Sequence, residues 1–241
     1  GPRYIISVLA GAFGALLLYF GGLAGLDVTG HLPPPPITNN VCFDEKLQFL
    51  RDYFDVRPNL LVVGSSVAWR NFVAEQVLAA WAEMRPLNGG FCGLHAHQIE
   101  FATRYLLHRY QTVRSVVAII APQDFDTCTS SASLFDPAEV DAFLSGKSWR
   151  YTYYIRYFDP VSLFRNALTI AIQRSGRDVF NTMMLDRFGG SPVDNKVPRN
   201  WNYRTYPGFG IGCFEALRNM ARLITQSGRR FLVVISPLDP T

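Results

Sequence analysis

Two adjacent serines, Ser65 and Ser66, follow the apolar run at residues 59–64. Their position suits nucleophilic chemistry. Residues 59–64 read as a buried strand ending in Gly64, and a helical pattern follows Ser65 and Ser66. A serine at such a turn exposes its hydroxyl at the carboxyl edge of a sheet, near backbone N–H groups that can stabilise an oxyanion. Serine is also a favoured helix N-cap. The local sequence therefore leaves two interpretations, an acyl-transfer nucleophile or a cap.

Two later segments add to the first interpretation. Residues 88–93 read Asn-Gly-Gly-Phe-Cys-Gly, a glycine-rich turn, and the apolar run 115–121 leads into Pro122-Gln123-Asp124. The order of the three segments resembles the SGNH (GDSL-like) hydrolase superfamily. It is most similar to the membrane-anchored, extracytoplasmic branch that acylates cell-surface polymers such as teichoic acid and alginate. The resemblance covers residues 41–125 and 211–237.

The resemblance assigns roles residue by residue. It implies that Ser66 is the nucleophile, with Ser65 in the place of the family's aspartate. It implies that Gly90 and Gly93 belong to the block that contributes an oxyanion donor. Gln123 stands where the family has an oxyanion asparagine, and its amide donates from one methylene further out. Asp124 matches the last aspartate of that block and is a further candidate.

The general base that a serine nucleophile needs is the weak point of the resemblance. The family takes its base from an Asp-x-x-His block near the C-terminus, where this sequence has no histidine. Either a histidine follows Thr241, in which case the C-terminus is incomplete, or the protein never had one. His95 is a candidate substitute base, although a capping or surface role is its default. His95 and His97 are two residues apart and would face different ways on a helix, which argues against a metal pair.

The N-terminal residues predict a membrane anchor. Residues 4–26 carry no charge, and 23 helical residues span about 34 Å, enough for a hydrocarbon core of about 30 Å. Arg3 precedes the run and Asp27 follows it, which places the N-terminus in the cytoplasm. The prediction is a single-pass protein of the bacterial inner membrane with a periplasmic domain. A cleaved signal peptide competes with this prediction, although its apolar region is normally shorter.

The anchor also carries small residues at a spacing of four, which lets another helix approach closely. The pairs are Ala10/Gly14, Gly11/Ala15 and Gly21/Gly25. We therefore expect the lipid bilayer and another integral membrane protein as partners, although glycine is common in transmembrane helices in any case. The predicted organisation is an anchor at 1–30, a proline-rich linker at 31–40 and one domain at 41–241.

The domain predicts an α/β fold. Apolar runs at 59–64, 115–121 and 230–235 and a short strand within 85–90 alternate with helical patterns at 42–54, 72–84 and 98–110. This alternation favours a flavodoxin-like parallel sheet with helices on both faces. The rhythm breaks over 127–210, which we interpret as an insertion after the middle strand. It contains helical pieces at 137–144 and 160–172 and a loop at 189–210. Its aromatic residues are either the insertion's own core or a sugar platform (Trp149, Tyr151, Tyr153, Tyr154, Tyr157, Phe158).

The four cysteines, an even number, indicate disulfides outside the cytoplasm. Three pairings are possible. All four cysteines belong near the carboxyl edge of the sheet, and among the pairings we expect Cys42 or Cys92 to pair with Cys128. Their spacing matches no zinc signature, so neither a metal nor a cofactor is expected. The net charge of +4 is spread along the chain and gives no footprint for nucleic acid.

Two functions remain open. The first is an O-acyltransferase or esterase that acts on a cell-surface glycan through Ser66. The second is a non-catalytic subunit of a larger membrane complex, such as a respiratory, photosynthetic or secretion assembly. A fold does not fix a function, so a degenerate SGNH-like domain could serve as a packing module.

Overall fold

The structure is a computed structural model that describes residues 2–53, 56–129, 133–147, 149, 151–174, 185–192 and 208–236. Its strands are β1 (Leu60–Gly64), β2 (Pro86–Asn88), β3 (Ser115–Ile120) and β4 (Arg230–Ile235). A 3₁₀ helix covers Pro122–Phe125. The α-helices are α1 (Pro2–Val28), α2 (Val41–Asp52), α3 (Ser66–Asn71), α4 (Ala74–Ala80), α5 (Ala96–Arg109), α6 (Pro137–Leu144), α7 (Thr152–Arg156), α8 (Pro160–Arg174) and α9 (Ile211–Gln226).

The four strands form one parallel sheet in the order β2-β1-β3-β4. Leu61 of β1 lies beside Val116 of β3 and beside Leu87 of β2. The predicted α/β class with a parallel sheet is therefore confirmed. Because parallel strands point the same way, the segments that follow β1, β2 and β3 meet at one edge of the sheet.

Helices cover both faces of this sheet. Successive side chains of a strand point to opposite faces, so a continuous apolar strand needs a partner on each face. Leu61 and Val63 of β1 pack in the larger core cluster, which includes residues of α2, α5, α6 and α9. Leu60 and Val62 face the other way, into a smaller cluster with Ala68 of α3 and its neighbours. The inner strands are thus buried on both sides, which is why they read as continuous apolar runs.

The helix expected after the two serines is α3, and the helical pattern predicted at 72–84 is only partly realised, as α4. α3 begins earlier, at Ser66, and ends at Asn71, while α4 occupies only Ala74–Ala80. Phe72 and Val73 between them have extended backbone dihedrals. Buried Phe72 packs in the smaller core cluster, so the chain turns inward there instead of continuing the helix.

β4 has the predicted bounds but not the burial expected of an apolar strand. It lies at the edge of the sheet, and its apolar residues from Leu232 to Ile235 are exposed. Only Phe231 packs, partly buried, against the larger core cluster. An apolar run therefore predicted the strand correctly without revealing its place in the sheet.

The aromatic residues of the predicted insertion divide into two groups. Tyr153 is buried in the larger core cluster and its ring lies 5.0 Å from that of Phe143. Tyr154 instead packs with Leu23 and Leu32 at the end of α1. The helical pieces predicted at 137–144 and 160–172 appear as α6 and α8. Most of the loop predicted at 189–210 lies outside the described residues, as do Asp239 and the chain's last residues.

The cysteine pairing that we expected is wrong. Cys42 pairs with Cys92 and Cys128 pairs with Cys213, with Cα–Cα distances of 6.4 and 5.2 Å. The start of α2 lies on the turn after β2, where the Phe43 and Phe91 rings are 5.2 Å apart, and this brings Cys42 to Cys92. The start of α9 lies beside the segment after β3, which brings Cys213 to Cys128.

α1 is long and apolar enough to cross a membrane, with a mean hydropathy of 2.0 over an 18-residue window. A signal sequence near the N-terminus would pass the same test of length and composition. Nearly all of its side chains are exposed, Leu23 being the buried one. An apolar helix with this exposure needs an apolar environment that the domain itself does not provide.

Candidate functional site

The candidate site lies at the carboxyl edge of the sheet, where β1 passes into α3. Gly64, the last residue of β1, has a φ of +149°. A Cβ there would collide with the carbonyl oxygen of Ile119 on β3 and would lie 2.6 Å from the Cβ of Ala68. Glycine is therefore required, because the turn brings α3 directly against the neighbouring strand.

The two serines after Gly64 have different surroundings. Ser65 is 2% exposed and is the N-cap of α3, its Oγ accepting a hydrogen bond of 3.3 Å from the Val67 N–H. Ser66 is the first residue of α3 and is partly exposed. Within the part of the chain that the structure describes, no hydrogen bond engages the Ser66 hydroxyl. The cap and the candidate nucleophile, which the sequence could not separate, are thus two adjacent residues.

Asp124 joins the segment after β3 to this turn. It is buried in the 3₁₀ helix, where its Oδ2 accepts a 2.9 Å hydrogen bond from the Ala121 N–H. The Ser65 side chain lies near this carboxyl. Burial raises the pKa of Asp124 to about 6, and the Ala121 N–H, the Ser65 side chain and the nearby His95 oppose that rise. The predicted site residues Ser65 and Asp124 are therefore neighbours, and Gln123 lies in the same 3₁₀ helix.

The glycine-rich turn after β2 is fixed by Asn88, a residue that the sequence had not singled out. The buried Asn88 side chain donates 3.1 Å to the Ala68 carbonyl and accepts 2.9 Å from the Gly90 N–H. Gly89 donates 2.7 Å to the carbonyl of Val62 on β1. The Asn88 amide thus ties the turn to α3, and its position directly before two glycines was the signal that could have identified it.

The two predicted oxyanion glycines differ in their environment. The Gly90 N–H points to Asn88, and a Cβ on Gly90 would lie 3.0 Å from the Trp69 nitrogen and 3.2 Å from the Ser65 carbonyl oxygen. Gly93 is exposed, with a φ of +66° and no atom near the position of a Cβ. Gly90 therefore packs directly against the Ser65–Ser66 turn, while Gly93 borders open space.

Two histidines lie at the start of α5, at the same edge. His95 is the N-cap residue, and its Nδ1 lies 3.0 Å from Asp126 Oδ1, without the alignment of a hydrogen bond. The Nε2 of His97 lies 3.3 Å from the Thr129 hydroxyl. Burial, helped by His95, lowers the pKa of His97. His95 thus has the predicted capping position, and Asp126 is an acidic neighbour that the sequence analysis had not assigned to it.

A buried lysine on α2 holds the turn after β2 in place. The Nζ of Lys46 on α2 donates 2.9 Å to the Asn88 carbonyl and also donates to the Gly189 carbonyl. Burial lowers the pKa of Lys46 to about 7, although the negative charge of Asp186 opposes the shift. Asp186 in turn accepts hydrogen bonds from the Phe188 and Gly190 N–H groups. Lys46 therefore ties α2 to the turn after β2 and to the segment 185–192.

The side chains that could ligate a metal ion are not grouped among the described residues. Across the described residues, no group of three or more His, Cys, Asp and Glu side chains is placed to hold a metal ion. The edge carries hydroxyl, carboxyl, imidazole and backbone N–H groups.

Comparison with known proteins gives no relative from which a role could be transferred. No family model matches the chain, and no curated protein and no solved structure matches it. The assignment of function therefore depends on the geometry of this edge and on the motifs of the sequence.

Proposed function

We propose that the protein is a membrane-anchored SGNH-like O-acyltransferase or esterase that acts on a cell-surface glycan through Ser66. The observation that carries the proposal is the difference in burial and hydrogen bonding between the two serines. Ser65 is buried and its hydroxyl caps α3 through the Val67 N–H, whereas the adjacent Ser66 hydroxyl is accessible and unengaged by the described residues. An accessible hydroxyl on a rigid turn is what a nucleophile requires.

The proposed reaction proceeds through an acyl-serine ester. Ser66 Oγ attacks the acyl carbonyl while a base takes its proton, and the bond to the donor's oxygen breaks as the donor alcohol takes up a proton. A glycan hydroxyl, or water in an esterase, then attacks the ester and restores Ser66. The Ser66 N–H, Gly93 N–H and Gln123 amide are the proposed oxyanion donors, with the Gly90 N–H shared with Asn88.

The base is proposed in one of two places. The resemblance points to an Asp-x-x-His block beyond the described residues. Among the described residues, His95 is suited to the role because Asp126 lies 3.0 Å from its Nδ1, where a carboxylate stabilises an imidazolium. His95→Ala and Asp126→Asn test the second place through the rate of the acylation step.

The proposed location is the outer face of the bacterial inner membrane. α1 would cross the bilayer with its N-terminus in the cytoplasm, since Arg3 precedes the apolar run and Asp27 follows it. Both cysteine pairs lie within disulfide distance, which fits an oxidising compartment such as the periplasm. A cell-surface glycan would be available there as acceptor.

The test is labelling of the full chain in membranes with a fluorophosphonate probe. We expect Ser66→Ala to abolish labelling, whereas Ser145→Ala, at the end of α6 and away from the site, should label like the wild type. Equal labelling of the Ser66→Ala protein would refute the assigned nucleophile. A folded wild type that takes no label, and that transfers no acyl group from an added donor, would refute the proposed enzymatic activity.

A second candidate is a non-catalytic subunit of a membrane complex, and one observation favours it specifically. Gly11, Gly14, Gly21 and Gly25 of α1 have no atom within 4 Å of the position of an added Cβ. These open positions suit close contact with another transmembrane helix. The subunit hypothesis expects a stoichiometric membrane partner to co-purify and to be lost in Gly14→Leu, with the labelling of Ser66 irrelevant to assembly.

A further inference from the structure

α8 carries a stripe of apolar side chains that are exposed to solvent. Val161, Phe164, Leu168 and Ile172 are 75%, 67%, 52% and 58% exposed. Their spacing of three and four residues places them on one face of the helix. The other face packs inward through buried Ala167 and Ile170. A contiguous apolar surface of this kind marks contact with another apolar surface.

The stripe is continuous with the outer end of α1. The Phe158 ring, just before α8, lies 5.0 Å from the Tyr19 ring. The Trp149 ring stacks on that of Phe20 at 5.8 Å. Leu163 of α8 packs against the cluster that contains Leu23. α8 therefore starts directly beside the segment predicted to cross the membrane.

Two hydrogen bonds fix this part of the domain to α1. The Tyr19 hydroxyl donates 2.9 Å to the Tyr154 carbonyl, and the Tyr151 hydroxyl donates 2.8 Å to Asp27. Tyr154 also donates to the carbonyl of Pro33. Because these hydrogen bonds hold the domain to the end of α1, the depth of α1 in a bilayer also determines the depth of α7 and of the start of α8.

That level lies in the outer part of the acyl-chain region, just below the headgroups. Tyr19 precedes Leu26, the last residue of the uncharged run, by seven residues, or about 10 Å of helix. The whole run spans about 34 Å against a hydrocarbon core of about 30 Å, so at most about 4 Å of it extends beyond the core. Tyr19 and Phe20 therefore lie about 6–10 Å below the outer boundary of the core, and Trp149 and Phe158 lie beside them. An interfacial helix buries its apolar face to about this depth.

The charges around the stripe favour an apolar rather than an electrostatic contact. Exposed Arg165 flanks the stripe and donates to Ser162, whose hydroxyl and N–H both donate to Asp159 at the start of the helix. Asp159 before α8 and Arg165 in its second turn thus flank the stripe with charges of opposite sign. A contact of this kind does not require anionic lipid.

We propose that α8, together with Trp149 and Phe158, lies on the outer side of the same bilayer that holds α1 and inserts its apolar stripe just below the headgroups. The occupant of the stripe is phospholipid. The proposal rests on the membrane insertion of α1 and not on any catalytic role of Ser66. Two membrane contacts would hold the domain in one orientation, where a single anchor would let it rotate.

The test places the photoreactive residue benzoylphenylalanine at one phenylalanine at a time in the full chain, in phosphatidylcholine vesicles. Phe164 reports on the stripe and Phe13 on the anchor. Phe214 is the matched control, because it is half-exposed on α9 and packs against Phe125 and Phe209, not against the anchor. After illumination, mass spectrometry counts phospholipid adducts at each position.

We expect adducts at the Phe13 and Phe164 positions and several-fold fewer at the Phe214 position. Adducts at Phe13 but none above the control at Phe164 would overturn the proposal while leaving the anchor intact. A crosslink from Phe164 to a second copy of the chain or, in native membranes, to another protein would also overturn it. Failure at Phe13 would overturn the insertion of α1 and the proposal with it. None of these outcomes depends on the labelling of Ser66.

Discussion

Lys46 and Asn88 meet inside the domain, where the Lys46 ammonium donates a 2.9 Å hydrogen bond to the Asn88 backbone carbonyl. The Asn88 side chain binds α3 and the Gly90 N–H, so this one contact links α2 to the turn beside the two serines. The carboxyl edge is therefore shaped by buried polar groups that do not themselves reach its surface.

The first prediction concerns the pH dependence that Lys46 imposes on stability. Its folded pKa of about 7 lies below the unfolded value of about 10.4, so the unfolded chain binds more protons between these pH values. The free energy of unfolding should therefore rise as the pH increases from about 7 to 10, and the contribution is lost as the pH falls through 7. Lys46→Met should remove this rise in denaturant titrations.

Lys46→Met should also be less stable than the wild type by about 1–3 kcal/mol at high pH, because the Asn88 and Gly189 carbonyls lose their donor. The control is Lys147→Met, since Lys147 is exposed. A wild type whose stability is flat between pH 7 and 10, or a Lys46→Met variant that keeps the rise, would contradict the assignment.

The second prediction concerns Asp124, whose shift has the opposite sign. Its folded pKa of about 6 lies above the unfolded value of about 3.9, so the folded protein binds more protons between these pH values. The contribution of Asp124 to stability is complete below about pH 4 and is lost as the pH rises through 6. Asp124→Asn keeps an oxygen for the Ala121 N–H and should remove about 1–3 kcal/mol of this fall.

The measurement compares unfolding in denaturant at pH 4.5 and pH 7.5. Asp44 should lower the free energy of unfolding over the same pH range in both proteins, because burial raises the pKa of that carboxyl to about 7 despite its hydrogen bonds from Thr38. The comparison therefore depends on the difference between Asp124→Asn and the wild type. Asp52→Asn, at an exposed position, controls for the lost charge. Identical slopes for Asp124→Asn and the wild type would rule out the assigned shift.

The sheet could be predicted from the sequence because burial on both faces leaves a simple trace, an uninterrupted apolar run. The bounds of β1, which is buried along its whole length, agree with the prediction to within one residue for that reason. The role of Lys46 left no such trace, since the sequence Asp44-Glu45-Lys46 resembles the solvated start of a helix, yet all three residues are buried. Which polar residues enter the interior depends on where α2 docks, and that information is tertiary.

The candidate site shows the same division. Ser65 and Asp124 lie at one edge because the ends of neighbouring parallel strands meet there. The local sequence could not separate the cap from the exposed hydroxyl, since both serines suit either role and the backbone path at Gly64 decides between them. The assignment of Ser66 as the nucleophile comes from the resemblance and stays a prediction. The cysteine pairing was wrong because it depends on the docking of helix starts, about which local sequence says nothing.

The third prediction concerns the disulfides. Peptide mapping under non-reducing conditions should recover Cys42 linked to Cys92 and Cys128 linked to Cys213. The loops close 50 and 85 residues, so the double variants Cys42→Ser/Cys92→Ser and Cys128→Ser/Cys213→Ser should each lose about 2–5 kcal/mol. Recovery of a peptide that joins Cys92 to Cys128 would contradict the connectivity.

The fourth prediction compares two glycines with positive φ at the candidate site. Gly64→Ala places a methyl group on the Ile119 carbonyl and against Ala68, both of which are held by the sheet and α3. Since the backbone cannot yield without moving β3, we expect a loss of about 4 kcal/mol or more, seen as failure to accumulate folded protein. Gly93→Ala, with φ +66° and open space, should lose only about 1 kcal/mol.

The same pair separates folding from catalysis. A folded Gly93→Ala protein that still reacts with fluorophosphonate, but turns over acyl substrate more slowly, would indicate that the turn shapes the oxyanion region without building the nucleophile. Gly64→Ala should fail in both assays because it displaces Ser65 and Ser66 together. A stable Gly64→Ala protein would show that the β1–α3 turn is not as closely packed as the Ile119 contact requires, and the placement of Ser66 would then have to be revised.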